Sequence, residues 1–309
     1  MSVSFCGLEL AHAIVNGSGT FDAIAAHAAF GEELVREFPF AAYVSKTITL
    51  EPRAGNPPPR LWEASAGLVN SIGLPNKGLD GYLREDLPRL AEICSRAGTG
   101  AGVPLVTNVM GASATELTRL VAACEARSEI AAIELNVSCP NVETGLDIGA
   151  DPRQLEAVVR AVRPHTGKPL IVKLTPNTAD VARCAQAAED AGADSVSLIN
   201  TLRALALAPH ATAGASERAG GRGPGRAWLG GVTGGLSGPA VRVVALAQVS
   251  AVAARVQIPV VGMGGVRSGA DARELLDVGA RLVAVGTESF LDPAAGARIA
   301  RELDAIAGP

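Results

Sequence analysis

Short apolar runs rich in β-branched residues alternate along the chain with longer segments whose apolar positions recur at helical spacing. Eight runs read as strands: AIVNGS, AAYVSKTIT, PLVTNVM, AAIELNVS, PLIVKLTP, DSVSLINT, IPVVGMGG and RLVAVGTE. Between them, TELTRLVAACEA, PRQLEAVVRAVR, TADVARCAQAAEDAG and DARELLDVGA read as amphipathic helices, with glycine at several ends. Strands that alternate with helices pair in parallel, because each crossover returns the chain to the edge it left. Eight such units in 309 residues predict an α/β chain closed as a (β/α)8 TIM barrel. FCGLEL, ahead of the first strand, reads as a short hairpin closing its bottom. An open doubly wound sheet is the alternative, but its usual mark, a GxGxxG turn after the first strand, is missing.

Two stretches break this rhythm. Residues 50–80 are rich in Pro, Gly and Asn and follow the second strand, which makes them a long loop on the catalytic face. Residues 202–233 include ERAGGRGPGR and lack a sustained apolar period, so they read as a mobile insertion after strand six. The whole of 1–309 reads as one barrel domain.

Aromatic residues supply only 3% of the chain, so its core is built from small aliphatic side chains packed between helices and strands. A net charge of −4 gives no general attraction for phosphate backbones or anionic lipid, which favours small molecules over nucleic acid or a membrane surface. Cys6, Cys94, Cys124, Cys139 and Cys184 are odd in number, widely spaced and free of any CxxC pair. Neither a disulfide framework nor a bound metal or iron–sulfur cluster is expected. With no signal-peptide pattern and no run of about 18 apolar residues, a cytoplasmic protein is expected.

In a barrel of this kind, side chains at the C-terminal ends of the strands face the active site. Those ends carry Ser18, Lys46, Asn108, Asn136 with Cys139 and Asn141, Lys173, Asn200 with Thr201, Gly264 with Gly265, and Gly286 with Thr287. Asparagine both donates and accepts, so several converging asparagines suit a planar ligand that alternates C=O and N–H, such as a pyrimidine or a flavin ring. Each alone also reads as a strand-end turn former. GMGG and VGTE close strands seven and eight, where barrels bind phosphate through backbone N–H groups; glycines that merely turn the chain are the plainer reading. Lys46 and Lys173 lie within apolar strands and call for an anionic or electron-rich partner, unless the amine reaches solvent. Cys124 and Cys184 fall in helices as core thiols, Cys6 and Cys94 lack chemical neighbours, and His12, His27, His165 and His210 lie outside every motif.

Taken together, ELNVSCPN, SKTITLEPR, GNPPPR, NSIGLPNKGLD, VKLTPN, INT, TGGLSGPA and GMGGV resemble the class 1 dihydroorotate dehydrogenases, flavin barrels of pyrimidine biosynthesis. The resemblance runs from near Leu8 to near Pro293 and implies an FMN-bound enzyme that oxidises dihydroorotate to orotate, with Cys139 as the catalytic base. It implies FMN contacts at Ser18, Gly19, Lys46, Thr47, Asn108, Asn136, Lys173, Ile199, Gly238, Gly264, Gly265, Gly286 and Thr287. The implied orotate contacts are Lys46, Asn70, Ser71, Ile72, Gly73, Leu74, Asn136, Asn141, Asn200 and Thr201. Oxidation removes a proton from C5 and a hydride from C6, so the reaction needs a base on one face of the substrate and flavin N5 on the other. A free thiol titrates near pH 8.5, so flavin reduction is expected to accelerate as pH rises.

One type within class 1 passes electrons to fumarate; another pairs its barrel with a separate subunit that carries FAD and an iron–sulfur cluster and uses NAD. This chain lacks a cysteine cluster and a GxGxxG turn of its own. GMGGV and GLSGPA resemble the NAD-linked type more closely, which implies a homodimer, or a heterotetramer with the electron-transfer subunit. There are departures. VETGLDIGADP is shorter than the family's usual lid loop and lacks its paired glycines and phenylalanine, which weakens the expected closure. Arg218, Arg222 and Arg226 in the insertion either meet a partner or an anionic substrate, or stay idle in solvent. The nearest rival is a related flavin barrel that reduces uracil or thymine and has no substrate carboxylate to hold. A barrel that only binds nucleotide is the non-catalytic alternative.

Overall fold

A computed structural model describes residues 2–98, 102–137, 148–208 and 226–307. The chain opens with β1 (Val3–Phe5) and β2 (Leu8–Leu10), antiparallel around a turn in which Cys6 and Gly7 both have positive φ. Then come β3 (Ile14–Asn16), β4 (Tyr43–Val44), β5 (Leu61–Ala64), β6 (Gly67–Asn70), β7 (Leu105–Val109), β8 (Ala132–Asn136), β9 (Leu170–Lys173) and β10 (Ser195–Leu198). They are followed by β11 (Leu202–Ala204), β12 (Gly234–Ser237), β13 (Val260–Met263) and β14 (Leu282–Val285).

Eight of these strands pair in parallel in the order β3-β14-β13-β10-β9-β8-β7-β4, and they are the eight runs read from the sequence. The four helices read from apolar spacing form at Ala114–Glu125, Pro152–Val162, Val181–Asp190 and Gly269–Asp277. Each begins where a Ser or Asp side chain accepts a first-turn N–H: Ser113 from Glu116, Asp151 from Arg153, Asp180 from Arg183 and Ser268 from Asp271. Their apolar faces and the outward strand residues form the larger core cluster.

The ring closes between β3 and β4, and a side chain makes most of that joint. Buried Asn16 accepts from Val44 N at 2.8 Å and donates to Val44 O at 2.8 Å, so one amide stands in for a rung of the ladder. Ala41 N donates to Ile14 O at 2.9 Å beside it.

Inside the ring a second core cluster joins Phe5 and Leu10 of the hairpin to Val15, Ala42, Val44, Val106, Ala132, Ile171, Val261, Leu282 and Ala284. The hairpin therefore plugs the N-terminal end, as FCGLEL predicted. The space left above it, reaching Glu134, is only about 30 Å³.

A second sheet, of order β11-β12-β6-β5 and wholly antiparallel, was not read from the sequence. It joins the segment after β4 to the segment after β10, with Gly235 opposite Asn70 and Leu202 opposite Leu236. Trp62 and Trp228 meet edge to face at 5.5 Å beside buried Val69, Ala206 and Leu229. Residues 50–80 thus contain a hairpin as well as loop. The flanks of the expected insertion also have paired backbone, since Ala208 N donates to Arg226 O at 2.9 Å and Trp228 N to Ala206 O at 2.8 Å. Residues 209–225, with Arg218 and Arg222, lie outside the described residues.

Asn16→Leu, close in size, leaves Val44 N–H and C=O buried without that partner. The expected loss is about 2–5 kcal/mol in urea unfolding; a loss below about 1 kcal/mol would mean that the seam does not rest on this amide.

Candidate active site

Side chains alternate inward and outward along each strand, and on the inward face their character changes with height. Val106 gives way to Asn108, Ala132 to Glu134 and Asn136, and Ile171 to Lys173. Register aligns these polar residues: Asn108 opposes Glu134, and Lys173 lies between Asn136 on β8 and Ser197 on β10. Apolar filling below and polar filling above mark the C-terminal end as the functional end.

The polar layer is joined by short contacts. Ser18 Oγ donates to Ser45 O at 2.8 Å and lies 3.4 Å from Thr47 Oγ1, which accepts from Asn136 Nδ2 at 3.3 Å. Ser45 Oγ accepts from Asn108 N at 3.1 Å. Two groups remain unmatched. Asn108 Oδ1 is buried with no hydrogen-bond partner, and Lys173, 6% exposed, has no hydrogen bond or ion pair among the described residues. Lys46 differs from the expectation of an enclosed cation: it is exposed, two positions beyond inward Val44 and past the end of the two-residue β4.

A glycine cluster gathers beside this layer. A Cβ on Gly265 (φ +74°) would lie 2.9 Å from Gly238 O, one on Gly264 3.1 Å from Ile199 Cγ1, and one on Gly238 (φ +92°) 3.7 Å from Thr287 Cγ2. Thr287 Oγ1 donates to Ser237 Oγ at 2.9 Å. Segments from three parts of the chain thus converge through bare backbone, as an anion cradle requires. Gly286 has negative φ and only Thr20 Cγ2, at 3.7 Å, near the place of a Cβ. Packing leaves room for a side chain there, while ψ of −98° at φ −112° lies outside the ordinary α and β regions and favours glycine.

Of the residues expected to hold orotate, Asn70 to Leu74, Asn200 and Thr201 sit where the small sheet joins the barrel. Asn70 Nδ2 donates to Gly235 O at 3.3 Å, and Thr201 packs against Gly235, where a Cβ would fall 1.9 Å from Thr201 Oγ1. Asn200 Oδ1 accepts from Thr201 N at 2.8 Å. From Ser71 to Leu74 the chain turns tightly, with Gly73 at φ +76° and Leu74 at φ +54°. A leucine in that region costs about 1 kcal/mol, and two asparagines hold it there. Asn56 N donates to Ile72 O at 3.0 Å, Asn56 Nδ2 to Ser71 Oγ at 3.0 Å, and Asn76 Nδ2 to Leu74 O at 2.8 Å.

Cys139 and Asn141 lie outside the described residues. The other four thiols are poor candidates for base chemistry. Burial pushes Cys6 up to about 11 and Cys94 and Cys124 up to about 12, and it also raises Cys184. Among the described residues no group of His, Cys, Asp and Glu is placed to hold a metal ion, and no helix is long and apolar enough to cross a membrane.

The motifs contained Ser45, Asn56, Asn76 and Glu134 without assigning them roles, and Ser197 drew no attention at all. The available signal was an acidic residue inside the apolar run AAIELNVS, where a charge needs a reason.

Fold and mouth together define a class: a closed (β/α)8 barrel with a polar inner layer suited to a planar, hydrogen-bonding ring and a bare-backbone cluster suited to an anion. The family described as Dihydroorotate dehydrogenase matches residues 1–307. A protein of Citrifermentans bemidjiense named dihydroorotate dehydrogenase B (NAD(+)), catalytic subunit, is 42% identical over 98% of this chain and 92% of its own. Proteins of the same name from Desulforudis audaxviator and Maridesulfovibrio salexigens are 42% and 40% identical, over 98% and 99% of this chain and 91% and 93% of their own. The chain belongs to the dihydroorotate dehydrogenase family.

Lys173→Met removes a buried cation that no described residue pairs with. The ligand-free protein is expected to gain about 1–3 kcal/mol in urea unfolding while losing affinity for its ring ligand. Lower stability would make Lys173 a structural group instead.

Proposed function

We propose that this chain oxidises dihydroorotate to orotate in pyrimidine biosynthesis, as the catalytic subunit of an NAD-linked enzyme. The observation that carries this reading is a family match over residues 1–307, in a chain whose inward layer turns from apolar to polar at the catalytic end. FMN fits that end, and when bound it supplies the hydride acceptor for C6 of the substrate. The backbone at Gly238, Gly264, Gly265, Gly286 and Thr287 would hold its phosphate. Ser18, Gly19, Lys46, Thr47, Asn108, Asn136, Lys173 and Ile199 would hold its ring, with Lys173 answering the negative charge of the reduced form.

The substrate's acid group would be met by exposed Lys46 and by the backbone from Asn70 through Leu74, which Asn56 and Asn76 pre-shape. Asn136, Asn141, Asn200 and Thr201 would read the ring's amide edges. This carboxylate site separates the reading from a barrel that reduces uracil. Cys139 would take the C5 proton; its role rests on the ELNVSCPN motif. Electrons would leave through a partner subunit with FAD and an iron–sulfur cluster, a proposal supported by the relatives' designation as catalytic subunits.

Adding dihydroorotate without oxygen to the yellow protein is expected to bleach its flavin band near 450 nm; no bleaching with dihydroorotate, but oxidation of the reduced flavin by uracil, would favour the reductase. Cys139→Ala is expected to keep the colour and slow the bleaching by about 10²- to 10⁴-fold, and unchanged bleaching would remove Cys139 as base.

Alkylation gives an independent check. Near pH 8, iodoacetamide is expected to label Cys139 ahead of the four raised thiols, with orotate protecting it. Equal labelling of Cys6 would contradict an activated Cys139.

A further inference from the structure

Glu134 is 4% exposed, in the middle of the barrel, and belongs to none of the contacts so far assigned. Both of its carboxyl oxygens accept: Oε1 from Ser197 Oγ at 2.7 Å, and Oε2 from Asn108 Nδ2. It opposes Asn108 across the β7–β8 ladder, so the two side chains share the inward face. An asparagine amide has one end that donates and one that accepts, and only the donating end can face a carboxylate. Glu134 therefore dictates the orientation of the Asn108 amide. The accepting end, Oδ1, is buried and has no hydrogen-bond partner in the protein.

We propose that Glu134 is a positioning residue which locks the Asn108 amide so that its carbonyl oxygen accepts the imide N–H of the bound flavin. This rests on the flavin reading above. The oxidised flavin ring carries a single N–H, at N3, so an unmatched acceptor in the ring site has one ring donor to pair with. Were the amide reversed, its NH₂ would confront that N–H and two donors would be buried face to face. Ser197 holds the far carboxyl oxygen, so Glu134 cannot swing away to release Asn108. The arrangement places an acidic residue deep in the barrel to set the hydrogen-bond polarity of another residue, without contact to flavin or substrate.

The test uses FMN and 3-methyl-FMN, which lacks that N–H, titrated into the flavin-stripped full chain, with Kd read from flavin fluorescence. Wild type is expected to bind FMN at least about tenfold tighter than the methylated analogue. Glu134→Gln presents an NH₂ that can turn the Asn108 amide over, so its affinity for FMN falls about tenfold or more and the preference for FMN disappears. The double variant E134Q/N108D restores the polarity: the introduced amide on β8 donates to the introduced carboxylate on β7, whose other oxygen is left to accept from the flavin. It is expected to recover both affinity and preference. Because it keeps a complementary pair and the same net charge, it also serves if the single variant fails to fold. Wild-type discrimination that survives in Glu134→Gln, or a double variant that does not recover it, overturns the positioning role and leaves the flavin reading intact. A wild-type chain that binds neither flavin overturns both.

Discussion

Every second side chain in a closed ring of parallel strands points into the ring, where each polar atom cut off from water must find a partner inside. The lower half of this barrel meets that constraint with aliphatic side chains capped by Phe5 and Leu10 of the hairpin. The upper half meets it only in part. Glu134 is satisfied by Asn108 and Ser197, and Thr47 is joined to Ser18 and Asn136. Asn108 Oδ1 and Lys173 are left over. A protein keeps such groups buried at a cost when a ligand completes them, and the leftover acceptor and cation suit a ring that carries an N–H and gains negative charge on reduction.

The same constraint explains the second sheet. A planar substrate above the ring needs contacts along its edge, and barrel strands alone present only their ends. By pairing β6 with β12, the chain brings Asn70 and the strained turn through Leu74 beside Thr201, although more than a hundred positions separate them in sequence. The strain at Leu74 is offset by Asn56 and Asn76, so the turn is shaped before any ligand arrives. Rigid scaffold and preformed loop divide the work: strands fix the ring site, and the small sheet fixes the acid site.

Much of this was legible in the sequence, for identifiable reasons. The barrel strands are buried on both faces, so runs such as PLIVKLTP announce themselves. The residues at their ends stand out because they are polar where Val or Ile is the norm. The second sheet did not show, since LWEA and GGLS are four-residue strands, half exposed and partnered far away, and nothing local distinguishes them from loop. For Lys46 the sequence left two outcomes open, an enclosed partner or solvent, and β4, which stops at Val44, leaves it exposed. Glu134 was visible but unread, because its role depends on which amide it faces, and register across strands is not written in either strand alone.

On the proposed reading, FMN completes the unmatched polar groups of the upper barrel. Thermal unfolding of the flavin-stripped chain at increasing FMN concentration measures this most directly. The expected result is a Tm that climbs with the logarithm of FMN concentration, as binding to the folded state alone requires, and a smaller rise with riboflavin, which lacks the phosphate for the glycine cluster. A Tm that ignores FMN would contradict it.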